Sequence, residues 1–403
     1  MSTVIAALLH PFVTLWRRSS ASSWRRLPYP QDEPAAHASG PDADRILLCG
    51  GGIAVGYGVL SHELGLAGQL ARRLTALTGR GVTVKVAASP EYSLSDVPWI
   101  LDDYRAARFD AVVLAFGGSE TATLATASAW RRTLDGVLAR IHESDAPRFE
   151  IFVVGLPRLS AVPGAYLPLA RLRATLFDAE SRLACAQWPD VTFVPIDGGA
   201  PASGPLGKSS YNSWAEEIAH PMAGPLDALA LVPVDDGPQD EVTRQAAVNN
   251  ISELPEETIL ELERVLDSAR NLFGTSGAAV TVIDGDVQRA LASSGEVVDR
   301  IPREHSLCNV TIQSERALIV RDTLTDERFE DSREALASAG VRFYAGYPLE
   351  APGGERVGAL CLLDGEARTF SEADSTLLRE LALRAQAILW GSPGQARHGV
   401  NGG

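Results

Sequence analysis

Cysteine and methionine are scarce in this sequence, at four and two among 403 residues. No two cysteines stand in a Cys-x-x-Cys spacing. That excludes a disulfide framework and argues against a zinc knuckle. Thiols used this sparingly are expected in a reducing cytoplasm, and no cofactor is expected. Positive charge is also short. Thirty-six Lys and Arg against 51 Asp and Glu leave a net charge of -15, which speaks against a nucleic-acid partner held by phosphate attraction. Long apolar runs are missing as well. The stretch Ser2 to Trp16, STVIAALLHPFVTLW, carries no formal charge and is interrupted by Pro11. It is shorter than the roughly 20 apolar residues of a membrane-spanning helix. Arg17, Arg18, Arg25 and Arg26 follow it, the reverse of a secretory signal. Residues 1–30 are expected to be a loosely packed leader, or a peripheral contact with an anionic membrane surface.

What is present is two different rhythms. Pro28 to Asp44, PYPQDEPAAHASGPDAD, is rich in Pro, Ala and acid and reads as a linker. From Arg45 short buried-strand patterns alternate with helical ones. RILLC, VTVKVAA, DAVVLAFGG, FEIFVVGLP and VTFVPI are the strands; GLAGQLARRLTALTG, VPWILDDYRAARF, ASAWRRTLDGVLARIHES, PLARLRATLFDAESRLACAQW and YNSWAEEIAHPMAGPLDALA are the helices. Such alternation means βαβ units, a parallel sheet and helices on both faces. A second break, VPVDDGPQDE, precedes a changed pattern. There a helix, a close succession of strands and a closing helix with a Ser/Glu start signal make an α+β domain with an antiparallel sheet. The expected organisation is a leader and linker at 1–43, an α/β domain at 44–232, a linker at 233–239, an α+β domain at 240–391 and a disordered tail at 392–403.

The segment RILLCGGGIAVGYG runs from a strand into glycines. Gly50, Gly52 and Gly56 have a spacing that can hold a pyrophosphate on backbone amides at a helix start. No acid ends the next strand, VTVKVAASP, to grip a ribose, which speaks against a dinucleotide.

The first domain, roughly Arg45 to Leu231, resembles the SGNH/GDSL hydrolases, whose fold is a flavodoxin-like three-layer sandwich. The closest pattern is GDSIAxGxG, in which the Ser ending strand one is the nucleophile. By this resemblance Gly52 stands at the nucleophile position and Gly51 at that of the Asp. AASPEYSLSDV lacks the oxyanion-hole glycine. In FGGSE, Ser119 stands for the oxyanion Asn. The residues before YNSWAEEIA put Pro205 where the catalytic His would be. His220, read as a helix-end histidine before Pro221, lies on the wrong side of that helix. Ser61-His62 is adjacent in sequence only, which makes no nucleophile and base. Nucleophile, base and oxyanion donors are thus all expected to be vacated, and loss of nucleophile or base alone costs on the order of a millionfold in a serine hydrolase.

The second domain, about Asp240 to Trp390, resembles GAF domains of bacterial signalling proteins, through DEVTRQAAV, ARNLFGTSGAAVTVIDGD, HSLCNVTI, ALIVRDTLTDERFED, VRFYAGYPLEAPGGERVGALCLLD and RTFSEADSTLLRELA. The resemblance implies a central antiparallel sheet with a ligand pocket on one face and dimerising helices on the other. The Asn-Lys-x-Phe-Asp-Glu pattern of cyclic-nucleotide binders is missing, and Cys308 is followed by Asn309 where a bilin site would need His. Phe343, Tyr344 and Tyr347 are candidate pocket residues, with ordinary packing on the sheet as the alternative. Cys308 and Cys361 are further candidates, either as a redox pair or as small buried residues. The expectation is a non-catalytic sensory or regulatory protein that binds an unknown small molecule, dimerises through its GAF helices and has a protein partner. The alternative is a divergent GAF-regulated esterase acting on small acyl esters.

Overall fold

A computed structural model describes residues 27–41, 43–117, 125–143, 149–157, 167–196, 208–230, 240–251, 254–330 and 333–390. Backbone contacts divide the chain into two units, Met1–Pro233 and Val234–Gly403. The leader up to residue 26, the expected linker at 233–239 and the tail at 392–403 lie outside the described residues.

The first unit is built on a six-stranded sheet of β1 (Ala35–Ala38), β2 (Asp44–Gly50), β3 (Val82–Ala88), β4 (Ala111–Ala115), β5 (Glu150–Val154) and β6 (Val191–Val194). The spatial order is β1-β3-β2-β4-β5-β6. All pairings are parallel except β1 on β3. The five parallel strands therefore have the 2-1-3-4-5 order of doubly wound open sheets. α1 (Leu66–Thr78) and α5 (Lys208–Ala230) cover one face; α2 (Val97–Asp103), α3 (Ala127–Glu143) and α4 (Leu167–Cys185) cover the other. Alternation within β2 divides its side chains between these layers. Ile46 and Leu48 face the first pair of helices, while Leu47 and Cys49 face the second set. α1 ends as its sequence predicts: Gly79 takes φ +74° and its N–H donates to the Thr75 carbonyl. On the other face Trp130 of α3 stacks on Phe177 of α4 at 5.0 Å and donates to the Ser181 hydroxyl.

Two expectations need correction here. The stretch read as a linker contains β1, an edge strand paired with β3 along its whole length. Ala36 and Ala38 are buried, and the acids that made the stretch look soluble are paired, Glu33 with Lys85 and Asp32 with His62. Small residues can lie on a sheet edge without the β-branched signature that marks most strands. His220 is not at a helix end either. α5 continues through Pro221 and Pro225 to Ala230. Each proline removes a helical donor, but Trp214, Ile218, Met222 and Leu226 recur at helical spacing and are all fully buried. Packing outweighs the local penalty.

The second unit opens with α6 (Glu241–Asn249) and α7 (Glu256–Phe273). Its antiparallel sheet contains β7 (Gly277–Asp284), β8 (Val287–Gly295), β9 (Arg300–Pro302), β10 (Leu318–Val320), β11 (Phe343–Glu350) and β12 (Arg356–Asp364), in the order β10-β11-β12-β7-β8-β9. Between β9 and β10 lies the short helix α8 (Leu307–Thr311), α9 (Arg333–Ser338) precedes β11, and α10 (Glu372–Trp390) closes the unit. The start of α10 is capped as expected in form, but Asp374 rather than Glu372 completes the reciprocal pair with Ser371. α7 and α10 cover one face, over Ala278, Val280, Phe343, Ala345, Leu360 and Leu362. α8 covers the other, over Ala279, Ile283, Tyr344, Ala359 and Cys361.

Candidate functional site

In an open parallel sheet, ligands bind beyond the carboxyl ends of the strands where the winding direction reverses. Here that point lies between β2 and β4, and the glycine-rich segment sits there. The Gly51 N–H donates to the Ala115 carbonyl at the end of β4, and the Ser89 N–H beyond β3 donates to the Gly50 carbonyl. A Cβ on Gly50 would collide with Ala115. Gly52 differs. Its φ is +52°, and among the described residues a Cβ built there meets no atom within 4 Å. Gly52 thus brings no side chain to the carboxyl end of β2.

The same geometry removes support from a phosphate cradle. Gly52–Val55 is a single turn of 3-10 helix, and α1 starts only at Leu66. The Gly51 and Ala54 amides are engaged by the Ala115 and Gly51 carbonyls. The glycines do not open onto an α-helix N-terminus. Ser119 and Pro205 lie outside the described residues. His62 lies between the 3-10 turn and α1, and its Nδ1 is 2.7 Å from an Asp32 carboxylate oxygen. Asp32 also accepts from the His62 backbone N–H at 3.1 Å. This pair was not legible in sequence, because Asp32 stands in the segment read as a linker.

In the second unit the five candidate residues separate by strand parity. Phe343 and Tyr347 face α7 and α10, whereas Tyr344, Cys308 and Cys361 meet on the opposite face. Neighbouring residues on a strand point to opposite sides, so Phe343 and Tyr344 cannot line one pocket, and the grouping of all five is corrected. Tyr344 lies along the sheet over Gly346, where any Cβ would overlap its hydroxyl. Gly346 in turn faces Cys361 across the β11–β12 ladder. The Tyr344 hydroxyl is 2.6 Å from Thr311 Oγ1 and donates to Cys308 Sγ at 3.4 Å. Cys308 and Cys361 belong to the same buried cluster on this face. Hydrogen bonds from Cys361, Thr281 and Tyr344 hold the Cys308 thiol below its ordinary value. The bond to Cys308 and burial push Cys361 up. Ile312, Val320 and Phe329 complete the packing, so the centre of this face is filled by the protein's own side chains.

A charged clasp flanks that face. Arg244 of α6, with no solvent exposure, donates to Glu241 at 2.8 and 2.7 Å and to the Ile283 carbonyl. Arg303 donates to the same Glu241 at 2.5 Å and to Asn309 of α8 at 2.9 Å. The two guanidinium groups hold the Glu241 carboxyl down at about 2. Glu241 thus joins α6 to the segment carrying α8. Sequence gave no signal for this beyond isolated charges.

Residues 261–389 match the family model of the GAF domain, and this part of the chain is a GAF domain. A cyclic di-GMP phosphodiesterase of Pseudomonas aeruginosa is 34% identical over 146 residues, covering 36% of this chain and 25% of that protein. The match therefore spans about a quarter of that relative's length. Among solved structures, the GAF domain of PixJ from Thermosynechococcus elongatus is 19% identical, with a TM-score of 0.28, covering 37% of this chain and 85% of that one. The GAF domain of an Acinetobacter phosphoenolpyruvate-protein phosphotransferase is 15% identical, with a TM-score of 0.28, covering 37% and 90%.

Proposed function

We propose that this chain is a sensory or regulatory protein without chemistry of its own, in which a GAF domain acts together with a domain resembling SGNH/GDSL hydrolases whose catalytic positions are vacated. The observation that carries the reading is Gly52: at the switch point of a doubly wound sheet, the position where the resembled family places its serine has room for a side chain among the described residues and offers none. A glycine cannot attack a carbonyl, and the family's general base is likewise replaced, by Pro205. The GAF domain and the likeness to a cyclic di-GMP phosphodiesterase support a place in bacterial signalling. In this reading the GAF domain takes a small ligand or dimerises through α7 and α10, a protein partner receives the signal, and the chain works in the cytoplasm or, through residues 1–30, at the membrane surface. Among the described residues no helix is long and apolar enough to cross a membrane.

The second reading, a divergent GAF-regulated esterase, is favoured by one observation, the His62–Asp32 pair in the loop after the glycines. Hydrolysis of short p-nitrophenyl esters by purified protein separates the two. The proposal expects no hydrolysis above the uncatalysed rate. Turnover that a Gly52→Ala change abolishes would overturn it. Native mass spectrometry of gently purified protein then tests the sensory half, with a dimer carrying a discrete added mass as the expected result.

A further inference from the structure

The most exposed leucine among the described residues is Leu60, at 73%. It stands in the loop between the glycine turn and α1, with Leu64 at 39% further along that loop and Tyr29 at 43% in the segment beside it. The Gly58 N–H donates to the Pro28 carbonyl at 2.7 Å, and the Tyr29 and Tyr57 rings meet edge-on at 6.1 Å. His62, between the two leucines, reaches Asp32 with its ring and with its backbone N–H. Residues 28–32 and 56–64 are therefore one piece of surface. We propose that Tyr29, Leu60 and Leu64 form a docking face for an anionic phospholipid surface, engaged together with the apolar and basic sequence that precedes residue 27.

Three observations carry this. The first is where the described chain begins. Ser2 to Trp16 is an uncharged, largely apolar sequence, and Arg17, Arg18, Arg25 and Arg26 follow it. Such a composition is drawn to an anionic surface by charge and held there by burial among the headgroups. It joins the folded unit just before Tyr29, so a surface that it holds is brought to this face. The second is the kind of side chain. Two aliphatic side chains with a tyrosine suit the boundary between headgroups and acyl chains. One apolar anchor binds a membrane only reversibly, and stable attachment takes two signals; the folded face supplies the second. The third is charge. The chain's net charge of -15 is repelled by an anionic surface. Around this face the acids are matched: Asp32 by His62, Glu33 by Lys85 at 3.3 Å and Glu63 by Arg72 at 2.9 Å.

The face is continuous with the carboxyl end of β2. Its loop runs on directly from the turn at Gly52–Val55. A Cβ on Gly56 would collide with the Pro30 ring, so the segment carrying Tyr29 is packed on the glycines themselves. The Tyr57 carbonyl accepts from the Tyr211 hydroxyl of α5 at 2.8 Å. Seating the face on a lipid surface therefore acts on the turn that holds Gly52. The proposal rests on the reading of this chain as a regulatory protein that works at a membrane, and it gives the first unit a task that needs no catalysis.

The test uses the full-length chain in co-sedimentation with phosphatidylcholine vesicles, with and without phosphatidylglycerol. The expected result is binding to the anionic vesicles only, weakened about tenfold by roughly 0.5 M salt, which screens the arginines from the lipid. Leu60→Asp combined with Leu64→Asp, its fold checked by circular dichroism, should weaken binding about tenfold or more. Leu183→Asp on α4, at a similar exposure of 60%, should leave binding unchanged. No binding to anionic vesicles, binding that the Leu60 and Leu64 changes leave intact, or an equal loss from Leu183→Asp would each overturn the proposal. None of these readouts involves ester turnover or a GAF ligand, so their failure leaves the sensory reading standing, and ester turnover by the purified chain would defeat that reading without touching them.

Discussion

Among the described residues, space is left at the carboxyl end of β2, and over the centre of the GAF sheet there is none. A Cβ on Gly52 meets no described residue within 4 Å, whereas a Cβ on Gly346 would run into the Tyr344 hydroxyl. Both are glycines on or beside a central strand, but for opposite reasons. Gly52 takes a left-handed conformation at the carboxyl end of β2, and Gly346 makes room for a neighbour's ring. The contrast teaches that a glycine can leave a space open or can make room for a neighbour that fills it. Only the surroundings tell which.

The largest effect should come from removing what fills the GAF face. Tyr344→Ala deletes a fully buried ring and is expected to lower stability by about 3–5 kcal/mol. Denaturant unfolding with an unchanged m-value would measure it. Gly346→Ala should cost about 1–3 kcal/mol by overpacking. Gly52→Ala has space and pays only for its left-handed backbone, about 1 kcal/mol. If the two alanine changes prove equal, the contrast between the sites is wrong.

A second pair of residues sharpens the comparison through pH. In the GAF unit, hydrogen bonds from Arg244 and Arg303 lower Glu241 from an ordinary 4.5 to about 2. Its contribution is present above pH 4.5 and is lost as the pH falls toward 2. In the first unit, Asp44 is raised from 3.8 to about 6 by burial, against the opposing pull of Arg80. The folded state holds that proton more tightly than the unfolded chain. Its contribution is therefore present below pH 3.8 and is lost as the pH rises through 6. Thermal unfolding should show Glu241→Gln flattening the acid limb and Asp44→Asn flattening the decline between those two values. The Glu241 effect is expected to be modest, because its side chain is about half exposed.

Much of the fold was legible because it rests on periodicity. The runs that became β2 to β6 and α1 to α5 are long and regular enough to reveal their class, and the helix, strands and closing helix of the GAF domain likewise. β1 was hidden because Ala35–Ala38 carries no β-branched residue and its burial depends on β3. α8 was hidden because five residues hold too little periodicity. The glycines that end β2 could be read directly. The self-filled GAF face could not, because it depends on Tyr344 turning back over Gly346. Parity could have separated Phe343 from Tyr344 in sequence, since adjacent strand positions face opposite ways.

The most direct test of the account is exposure of the full-length protein to a serine-directed fluorophosphonate, read by intact mass. The account predicts no adduct on native protein, because no activated serine stands at the end of β2. A stoichiometric adduct that heat denaturation abolishes, mapped to a serine near the His62–Asp32 pair, would contradict it and make the first domain a working esterase.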